Sequence, residues 1–260
     1  MATLLSRITE LGGKRVPILR WSFVRMMLGM KTLTKEWQVG DGREKDVLRH
    51  VLDNAKAGDV NSVIAAIDNF AYHHKFLINV GDEKGAILDK VIEREKPKRA
   101  LELGAYVGYS ALRIAKKLPA GGHLYSIEFN AENAAIARRI VEHAGMTDRV
   151  TFVVGYLGDE GKTLATLREK HGFDAGSLDV VFVDHDKEAY LPDLMRLLGT
   201  GWLHKGSVIV ADNVGFPGAP AYRAYMQAEE GKRFMTTSHE THLEYQSMIR
   251  DVVLESTLLG

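Results

Sequence analysis

The sequence predicts an α/β protein built on a doubly wound, mostly parallel sheet, and three observations point to this fold class. From residue 99 onward, short apolar runs alternate with segments of helical periodicity. The runs are mainly apolar and do not alternate regularly with polar residues, which is typical of parallel strands covered by helices on both faces. Two β-rich segments close the chain and predict a late antiparallel pair at one edge of the sheet.

Consecutive apolar residues mark five predicted parallel strands, at residues 100–103, 124–127, 150–154, 178–183 and 208–211. Four helical patterns lie between them, at residues 110–118, 131–144, 161–170 and 190–198. Alternation of this kind implies right-handed crossovers, which place helices on both faces. A helix at 221–228 precedes the late strands at 233–238 and 248–258, and three helices at 44–55, 60–72 and 84–95 precede the first strand.

The composition is that of one globular domain. A chain of 260 residues that is 45% hydrophobic can bury a single substantial core. Lysine plus arginine and aspartate plus glutamate both total 34, so no charge excess favours nucleic acid as a partner. The chain has no cysteine and no run of about 18 apolar residues, so we expect neither disulfides nor a membrane span. These features fit a reducing compartment such as the cytoplasm.

Residues 1–45 differ from the remainder and are interpreted as a basic N-terminal extension to a domain over residues 46–260. They carry nine lysine or arginine residues against four aspartate or glutamate residues, a net charge of 9 − 4 = +5. Three interpretations stay open. The extension packs on the domain or on a second subunit, it lies on anionic lipid as an amphipathic segment, or it is disordered. A monomer and a homodimer are both compatible with the sequence.

A glycine-rich turn follows the first predicted strand. Gly104 and Gly108 are spaced G-x-x-x-G, which does not match the G-x-G-x-x-G of dinucleotide binders and makes a pyrophosphate cradle a poor fit. Glu128 closes the second strand, where an acidic residue typically accepts hydrogen bonds from ribose hydroxyls. The glycines could simply make turns. Together with Glu102 on the first strand, they favour an adenosine ligand without a pyrophosphate, hence S-adenosylmethionine.

Acidic residues end two neighbouring strands of the predicted sheet. Asp184 follows the fourth strand, and Asp212 and Asn213 follow the fifth. Because the carboxyl ends of parallel strands meet at one edge of the sheet, we expect these side chains to lie close together. Two carboxylates and an amide oxygen form a hard oxygen set that suits Mg²⁺. The alternative for each aspartate alone is capping of the helix that follows.

Lys187 lies three residues after Asp184. A solvated lysine is protonated at neutral pH and is a poor base. A neighbouring divalent cation would favour its neutral form by charge repulsion, and the same cation would acidify a hydroxyl bound to it. Lys187 is therefore either a surface residue or the general base of a reaction at the predicted metal site.

At these residues the chain resembles catechol O-methyltransferase, a class I, Rossmann-like methyltransferase that uses S-adenosylmethionine. The resemblance runs from about Val47 to the C-terminus, and several segments carry it, at residues 79–82, 101–110, 127–128, 184–185 with 187, 211–214, 217–218 and 243–245. It implies Mg²⁺-dependent methylation of a small molecule, one hydroxyl of a catechol, by in-line displacement.

The resemblance also implies roles for matched positions. Asp184, Asp212 and Asn213 would hold Mg²⁺, Lys187 would take the proton from the reacting hydroxyl, and Glu244 would bind the second hydroxyl. The cofactor would be held by residues around the glycine turn and the neighbouring strand ends: Val80, Glu102, Gly104, Tyr106, Gly108, Ser110, Glu128, Asp184 and His185. Pro217 and Leu243 would form part of an apolar wall over the catechol ring.

The chain departs from the family pattern around the acceptor and the adenine. Asp186 stands where the family commonly has tryptophan, Phe76 where it has another tryptophan, and Ile78 where it has methionine. Leu157 and Gly158 replace a serine-glutamine pair that contacts adenine. These changes affect the acceptor pocket and the adenine contacts, and Asp186 adds negative charge near Lys187.

Other functions stay open on the sequence alone. Within enzymes, the acceptor could be another vicinal dihydroxy phenol, such as a caffeoyl ester or a flavonoid. A nicotinamide-dependent dehydrogenase is a different class, and the glycine spacing argues against it. A silent adenosyl-ligand binder would keep the glycine turn but should have lost the metal ligands or the base, and both are present.

Overall fold

The structure, a computed structural model, describes Glu10–Leu11, Lys14–Arg15, Trp21–Leu28 and residues 38–260. The described helices are α1 (Trp21–Leu28), α2 (Arg43–Asn54), α3 (Val60–His73), α4 (Gly81–Glu95), α5 (Tyr109–Lys117), α6 (Ala131–His143), α7 (Lys162–His171), α8 (Tyr190–Thr200) and α9 (Pro220–Ala228). The strands are β1 (Glu10–Leu11), β2 (Lys14–Arg15), β3 (Arg99–Leu103), β4 (His123–Glu128), β5 (Val150–Val154), β6 (Leu178–Val183), β7 (Leu203–Ala211), β8 (Phe234–His242) and β9 (Arg250–Leu258). In this part of the chain, no helix has the length and apolarity needed to cross a bilayer.

Seven strands form one sheet in the order β5-β4-β3-β6-β7-β9-β8. The first five of these are parallel to one another, β9 is antiparallel to β7, and β8 is antiparallel to β9. β4 and β5 lie on one side of β3, and β6 and β7 lie on the other, so the strand order changes direction at β3. The predicted doubly wound sheet with a late antiparallel edge pair is therefore confirmed.

Two apolar layers cover the sheet because successive side chains of each strand point to opposite faces. In β6, Val180 and Phe182 join the layer packed under α2 to α6, while Val181 and Val183 join the layer packed under α7 to α9. All four side chains are buried. This double coverage explains why the parallel strands are continuous apolar runs in the sequence.

Two strands extend at least four residues beyond the bounds that the sequence predicts. β7 begins at Leu203, five residues before the predicted start, and its first half is exposed or partly exposed. β8 lies at the sheet edge and continues to His242, four residues beyond the predicted end. Their additional residues are largely polar and therefore do not form apolar runs, although they pair as β-structure.

The predicted extension and domain meet inside α2, because this helix begins at Arg43 and both Arg43 and Glu44 are buried. Ahead of it, Phe23 and Met26 of α1 pack against Phe76 and Val39. Within the predicted extension, this contact shows packing on the domain for α1 only. Most other residues before residue 38 lie outside the described residues, and so does the interpretation that they pack on a second subunit or on lipid.

Candidate functional site

The sheet register brings the carboxyl ends of four strands to one edge. Leu103 of β3 pairs with Ile127 of β4 and with Val183 of β6, and Val183 pairs with Ala211 of β7. Backbone hydrogen bonds continue one step further, from Asp184 N to Leu103 O at 2.9 Å and from Asp212 N to Val183 O at 3.0 Å. The residues that follow these strands therefore emerge side by side.

The two glycines of the turn after β3 are required by close packing within the protein. Gly104 has φ +99°, and a Cβ atom there would lie 2.4 Å from the carbonyl oxygen of Asp184. Gly108 has φ +86°, and its Cβ would lie 3.1 Å from Cβ of Ala137 in α6. Gly104 thus allows the turn after β3 to lie directly against the chain that leaves β6.

Glu128 holds the same turn from the end of β4. Its Oε2 accepts hydrogen bonds from Ala105 N at 3.1 Å and Tyr106 N at 2.8 Å, and its Oε1 accepts one from Asn130 N at 2.9 Å. Burial raises the pKa of Glu128, and the backbone donors counteract this effect. The carboxylate therefore orders the turn, and any hydrogen bond from a ribose would be additional.

The other residues predicted to bind the cofactor surround this turn. Tyr106 adopts a left-handed conformation with φ 48°, and its hydroxyl donates to Glu44 Oε1 at 3.0 Å. Val80 directly precedes α4, Ser110 lies in the first turn of α5, and both are buried. Glu102 is fully buried within β3 and accepts a hydrogen bond from the Ser126 hydroxyl. It therefore links β3 to β4 just before the turn. Burial raises the pKa of Glu102 to about 7.

His185 is oriented by a carboxylate on α8. Its Nε2 lies 2.8 Å from Asp193 Oδ2, and Arg196 in turn donates to Asp193 Oδ1 at 2.6 Å. Because a carboxylate only accepts hydrogen bonds, Nε2 carries the proton. The other ring nitrogen, Nδ1, is buried and has no hydrogen-bond partner among the described residues. The ring stacks on Tyr190 with centroids 5.2 Å apart.

Lys187 lies directly beside Asp184. Its Nζ donates to Asp184 Oδ1 at 3.0 Å and to the Tyr190 hydroxyl at 2.5 Å. The Tyr190 hydroxyl donates to the carbonyl oxygen of Asp212 at 2.9 Å. Asp186 is exposed, and its Oδ1 accepts a hydrogen bond from Glu188 N at 3.1 Å. Among the described contacts, the carboxylate that pairs with Lys187 is thus Asp184 and not Asp186.

Asp212 and Asn213 belong to a buried cluster that also contains Glu244. Asn213 Nδ2 donates to Glu244 Oε1 at 2.9 Å and to Asp251 Oδ2 at 2.8 Å. Lys84 Nζ lies 2.9 Å from Asp212 Oδ1, 2.5 Å from Glu244 Oε1 and 3.0 Å from Asp251 Oδ2. Burial would lower the pKa of Lys84, but the surrounding carboxylates raise it well above its usual value.

The residues present fit a hard divalent cation. Asp212 Oδ2 is buried and has no hydrogen-bond partner among the described residues, whereas Oδ1 is occupied. Both amide donors of Asn213 are engaged, so its carbonyl oxygen is the atom that can act as a ligand. Burial raises the pKa of both Asp184 and Asp212, and the nearby lysines counteract this effect.

No group of three or more histidine, aspartate or glutamate side chains within the described ranges is arranged to hold a metal ion by itself. The candidate site therefore depends on the amide of Asn213 as well as on two carboxylates. Oxygen ligands of this kind suit Mg²⁺, which usually keeps several waters and few protein ligands.

The sequence analysis did not identify Lys84, Asp251 or Tyr190 as parts of the site. Tyr190 lies only three residues after Lys187, but no pattern in the sequence marks its hydroxyl as a partner of that lysine. Asp251 meets the site only through the tertiary fold. Lys84 did carry a signal, since it shares the buried face of α4 with Gly81, Gly85 and Leu88. A lysine at a core position of an amphipathic helix indicates buried, paired charge.

The departures around the acceptor and adenine positions fall into buried and exposed groups. Phe76 and Leu157 are buried, with Phe76 packed edge-to-face on Phe23 of α1 at 5.1 Å. On the rim beyond β4 and β5, Phe129 and Tyr156 are about half exposed and contact each other edge-to-face at 5.6 Å. The rim therefore offers aromatic surface close to Glu128.

Comparisons with known proteins show which sequences and structures the chain resembles. A model of the O-methyltransferase family matches residues 54–251. The chain is 54% identical to a probable O-methyltransferase of Mycobacterium tuberculosis over 235 residues, which are 90% of this chain and 100% of that protein. It is 43% identical to the catechol O-methyltransferase of Bos taurus over 211 residues, which are 81% of this chain and 75% of that protein.

A solved structure supports the fold. The O-methyltransferase TomG of Streptomyces achromogenes, in complex with SAM, matches with a TM-score of 0.61 and 22% identity, covering 76% of this chain and 90% of that chain. At this identity the likeness concerns the fold alone.

Proposed function

The chain belongs to the O-methyltransferase family, and from that premise we propose that it transfers a methyl group from S-adenosylmethionine to one hydroxyl of a catechol in a Mg²⁺-dependent reaction. Asp184, Asp212 and Asn213 would hold the metal, and Lys187 would act as the general base. The similarity to catechol O-methyltransferase supports the acceptor class.

One observation carries the proposal for the metal. Asp212 presents a buried carboxylate oxygen without a hydrogen-bond partner among the described residues. Asp212 Oδ1 and Glu244 Oε1, by contrast, are already in contact with Lys84. An unpaired buried carboxylate oxygen is costly unless something binds it. A divalent cation at this point would supply positive charge that favours ionisation of a bound hydroxyl.

The proton of the reacting hydroxyl would pass to Lys187. The lysine is held between Asp184 and Tyr190, so its Nζ has a fixed position at the ends of β6 and β7. Glu244 would accept a hydrogen bond from the second hydroxyl and so orient the ring. The deprotonated oxygen would form a bond to the methyl carbon as the carbon–sulfur bond breaks, and the sulfonium would leave as a neutral thioether.

Positioning would supply much of the rate enhancement. Reactants held in an aligned geometry gain roughly 7–11 kcal/mol relative to free reactants. In this protein, Gly104 allows the donor-side turn to contact the backbone of Asp184 directly. The turn on the proposed donor side is therefore in direct contact with the chain segment that carries Asp184 on the proposed acceptor side. A displacement of either site would affect the other.

The test is a methyl-transfer assay with S-adenosylmethionine and a simple catechol, with Mg²⁺ and with excess chelator. We expect transfer that requires the metal, and titration calorimetry should detect donor binding in the same preparation. Donor binding without transfer to any catechol would refute the proposed acceptor. Transfer that is unchanged by chelator would refute the proposed metal.

A larger vicinal dihydroxy phenol, such as a caffeoyl ester or a flavonoid, is a second candidate acceptor. One observation favours it, because Asp186 is exposed and replaces a family tryptophan, which leaves less aromatic wall over the ring. Comparison of kcat/KM for catechol and for a caffeoyl ester would decide between them. A higher value for the ester would make the larger phenol the preferred acceptor.

A further inference from the structure

Lys84 is a buried cation at the centre of the candidate site. Its side chain is 1% exposed. It contacts carboxylates from three separate parts of the chain: Asp212 after β7, Glu244 in the β8–β9 connection and Asp251 in β9. An ammonium has three donors, and the three carboxylates match that number. Lys84 therefore links α4 to both chain segments that supply the acceptor side of the site.

Asp251 is the structural partner of this lysine. Its Oδ1 accepts hydrogen bonds from Gly215 N at 3.2 Å, Phe216 N at 2.8 Å and Val252 N at 2.7 Å. Its Oδ2 accepts from Asn213 Nδ2 as well as from Lys84. With both oxygens occupied, Asp251 holds the turn after Asn213 and fixes the orientation of the Asn213 amide.

We propose that Lys84 is a positioning residue that presets Asp212 and Glu244 for their roles, and that it is also a resident cation that limits how tightly the site binds a divalent metal. This inference rests on the proposed function, because it assigns Asp212 to the metal and Glu244 to the acceptor.

The positioning role follows from which oxygens Lys84 occupies. Asp212 Oδ1 is in contact with Lys84 Nζ and accepts from Asn213 N at 2.7 Å, which leaves Oδ2 for a metal. Glu244 Oε1 is shared by Lys84 and Asn213 Nδ2, which leaves Oε2 for an acceptor hydroxyl. Without Lys84, repulsion from the neighbouring carboxylates would turn Glu244 away from this arrangement. Asp212 Oδ1 would still accept from Asn213 N, so Oδ2 would stay available to a metal.

The electrostatic role follows from the charge of the cluster. Before a metal binds, four carboxylates, Asp184, Asp212, Glu244 and Asp251, lie with two ammonium groups, Lys84 and Lys187, which leaves 4 − 2 = 2 negative charges. The proposed role of Lys187 as a base applies to the site with the metal bound. One divalent cation balances that excess. Removal of the Lys84 charge leaves a third negative charge at the site, and the attraction for a cation rises accordingly.

The experiment compares Lys84→Met with Lys90→Met, a matched control on the exposed face of the same helix. Mg²⁺ affinity is measured by titration calorimetry without donor or acceptor, and methyl transfer is measured at saturating Mg²⁺. We expect Lys84→Met to bind Mg²⁺ roughly tenfold more tightly and to transfer methyl groups more slowly. Lys90→Met should match the wild type in both. Structural damage alone would weaken both properties together.

Two results would each overturn one of the two proposed roles of Lys84. Mg²⁺ affinity in Lys84→Met that is equal to or weaker than in the wild type would overturn the electrostatic role, and an unchanged transfer rate would overturn the positioning role. If Lys84→Met does not fold, Lys84→Gln removes the charge but keeps a hydrogen-bond donor and gives the same comparison. Lys84→Arg keeps the charge, so its Mg²⁺ affinity should stay within about twofold of the wild type.

The same measurements separate this inference from the proposed function. A wild type that binds Mg²⁺ but methylates no catechol would refute the proposed acceptor, while tighter Mg²⁺ binding by Lys84→Met would still support the electrostatic role. A wild type that binds no Mg²⁺ would overturn both. A wild type that methylates catechol with Mg²⁺, next to a Lys84→Met protein with unchanged affinity and rate, would overturn the inference alone.

Discussion

The ammonium nitrogen of Lys187 lies 2.5 Å from the phenolic oxygen of Tyr190 and 4.7 Å from the centre of its ring. Because the same hydroxyl donates to the carbonyl oxygen of Asp212, it must accept from the lysine. Tyr190 thus connects the proposed base to the chain that carries two proposed metal ligands. The base is held by a buried side chain rather than left free in solvent.

Replacement of Lys187 by methionine should slow methyl transfer without weakening donor binding. Proton transfer by a positioned base contributes about 10²–10⁴-fold, so kcat should fall by roughly that factor. Donor affinity, measured by calorimetry, should stay unchanged because the described contacts of Lys187 are with Asp184 and Tyr190 and not with the glycine turn. Lys170→Met on the exposed part of α7 is the control for loss of a lysine. A wild-type rate in Lys187→Met would exclude this lysine as the base.

Tyr190→Phe should also lower kcat, but by a smaller factor than Lys187→Met. The variant retains the ring, which stacks on His185 and packs against Tyr222, but it loses the hydroxyl that holds Lys187. A displaced catalytic group costs up to about a hundredfold, and we expect a decrease in kcat between about tenfold and that limit. The double variant with Lys187→Met should be no slower than Lys187→Met alone. Additive losses would show that Tyr190 acts independently of the lysine.

Gly104→Ala tests whether donor binding and methyl transfer both depend on the close contact between the turn after β3 and the backbone of Asp184. The new Cβ would lie 2.4 Å from the carbonyl oxygen of Asp184, so the chain after β6 must move. Overpacking of this kind costs about 1–3 kcal/mol of stability, and both donor affinity and transfer rate should fall. Gly161→Ala is the matched control, because it also has positive φ but no atom within 4 Å of its Cβ. Equal losses in both variants would show that backbone strain alone is responsible.

Glu102 makes the stability of the protein depend on pH. Burial raises its pKa from 4.5 to about 7, so between these values the native state binds more protons than the unfolded state. Stability therefore falls as pH rises through this window, by roughly 3 kcal/mol in total. Glu102→Gln cannot ionise and should flatten this dependence, and it should be more stable than the wild type at about pH 8. Urea unfolding at several pH values checks this, and parallel pH profiles for the two proteins would contradict it.

Sequence patterns were sufficient for the sheet because its strands are buried on both faces. Most residues of β6 are apolar for that reason, and the strand-end rule then predicted that Asp184 lies beside Asp212. The polar residues of β8 belong to an edge strand with exposed positions, so apolar runs could not define its end.

The same patterns could not predict the buried charge cluster. Lys84 and Glu244 are 160 residues apart in sequence, and their contact exists only because α4 packs beside the connection between β8 and β9. Periodicity shows that Lys84 faces the core but gives no information about which carboxylates meet it. Pairings of this kind depend on tertiary packing, whereas strand-end positions follow from sheet topology alone.

The start of the domain can be tested with two shortened chains, one beginning at residue 38 and one at residue 46. Arg43 is fully buried and donates to the carbonyl oxygen of Phe76 at 2.5 Å. Glu44 accepts from the Tyr106 hydroxyl beside the glycine turn. The longer of the two chains retains both contacts, and the chain that starts at residue 46 loses them.

We expect the chain from residue 38 to bind the donor like the full-length protein, and the chain from residue 46 to bind it more weakly and to melt at a lower temperature. An unsatisfied buried carbonyl such as that of Phe76 costs about 1–3 kcal/mol, and the Tyr106 hydroxyl would lose its acceptor. Calorimetry with S-adenosylmethionine and thermal unfolding provide the two measurements. Glu44→Gln in the full-length protein separates the Tyr106 contact from the loss of Arg43, since it leaves α2 complete. Equal donor affinity in the two shortened chains would show that residues 38–45 lie outside the functional domain, as the basic composition of residues 1–45 suggested.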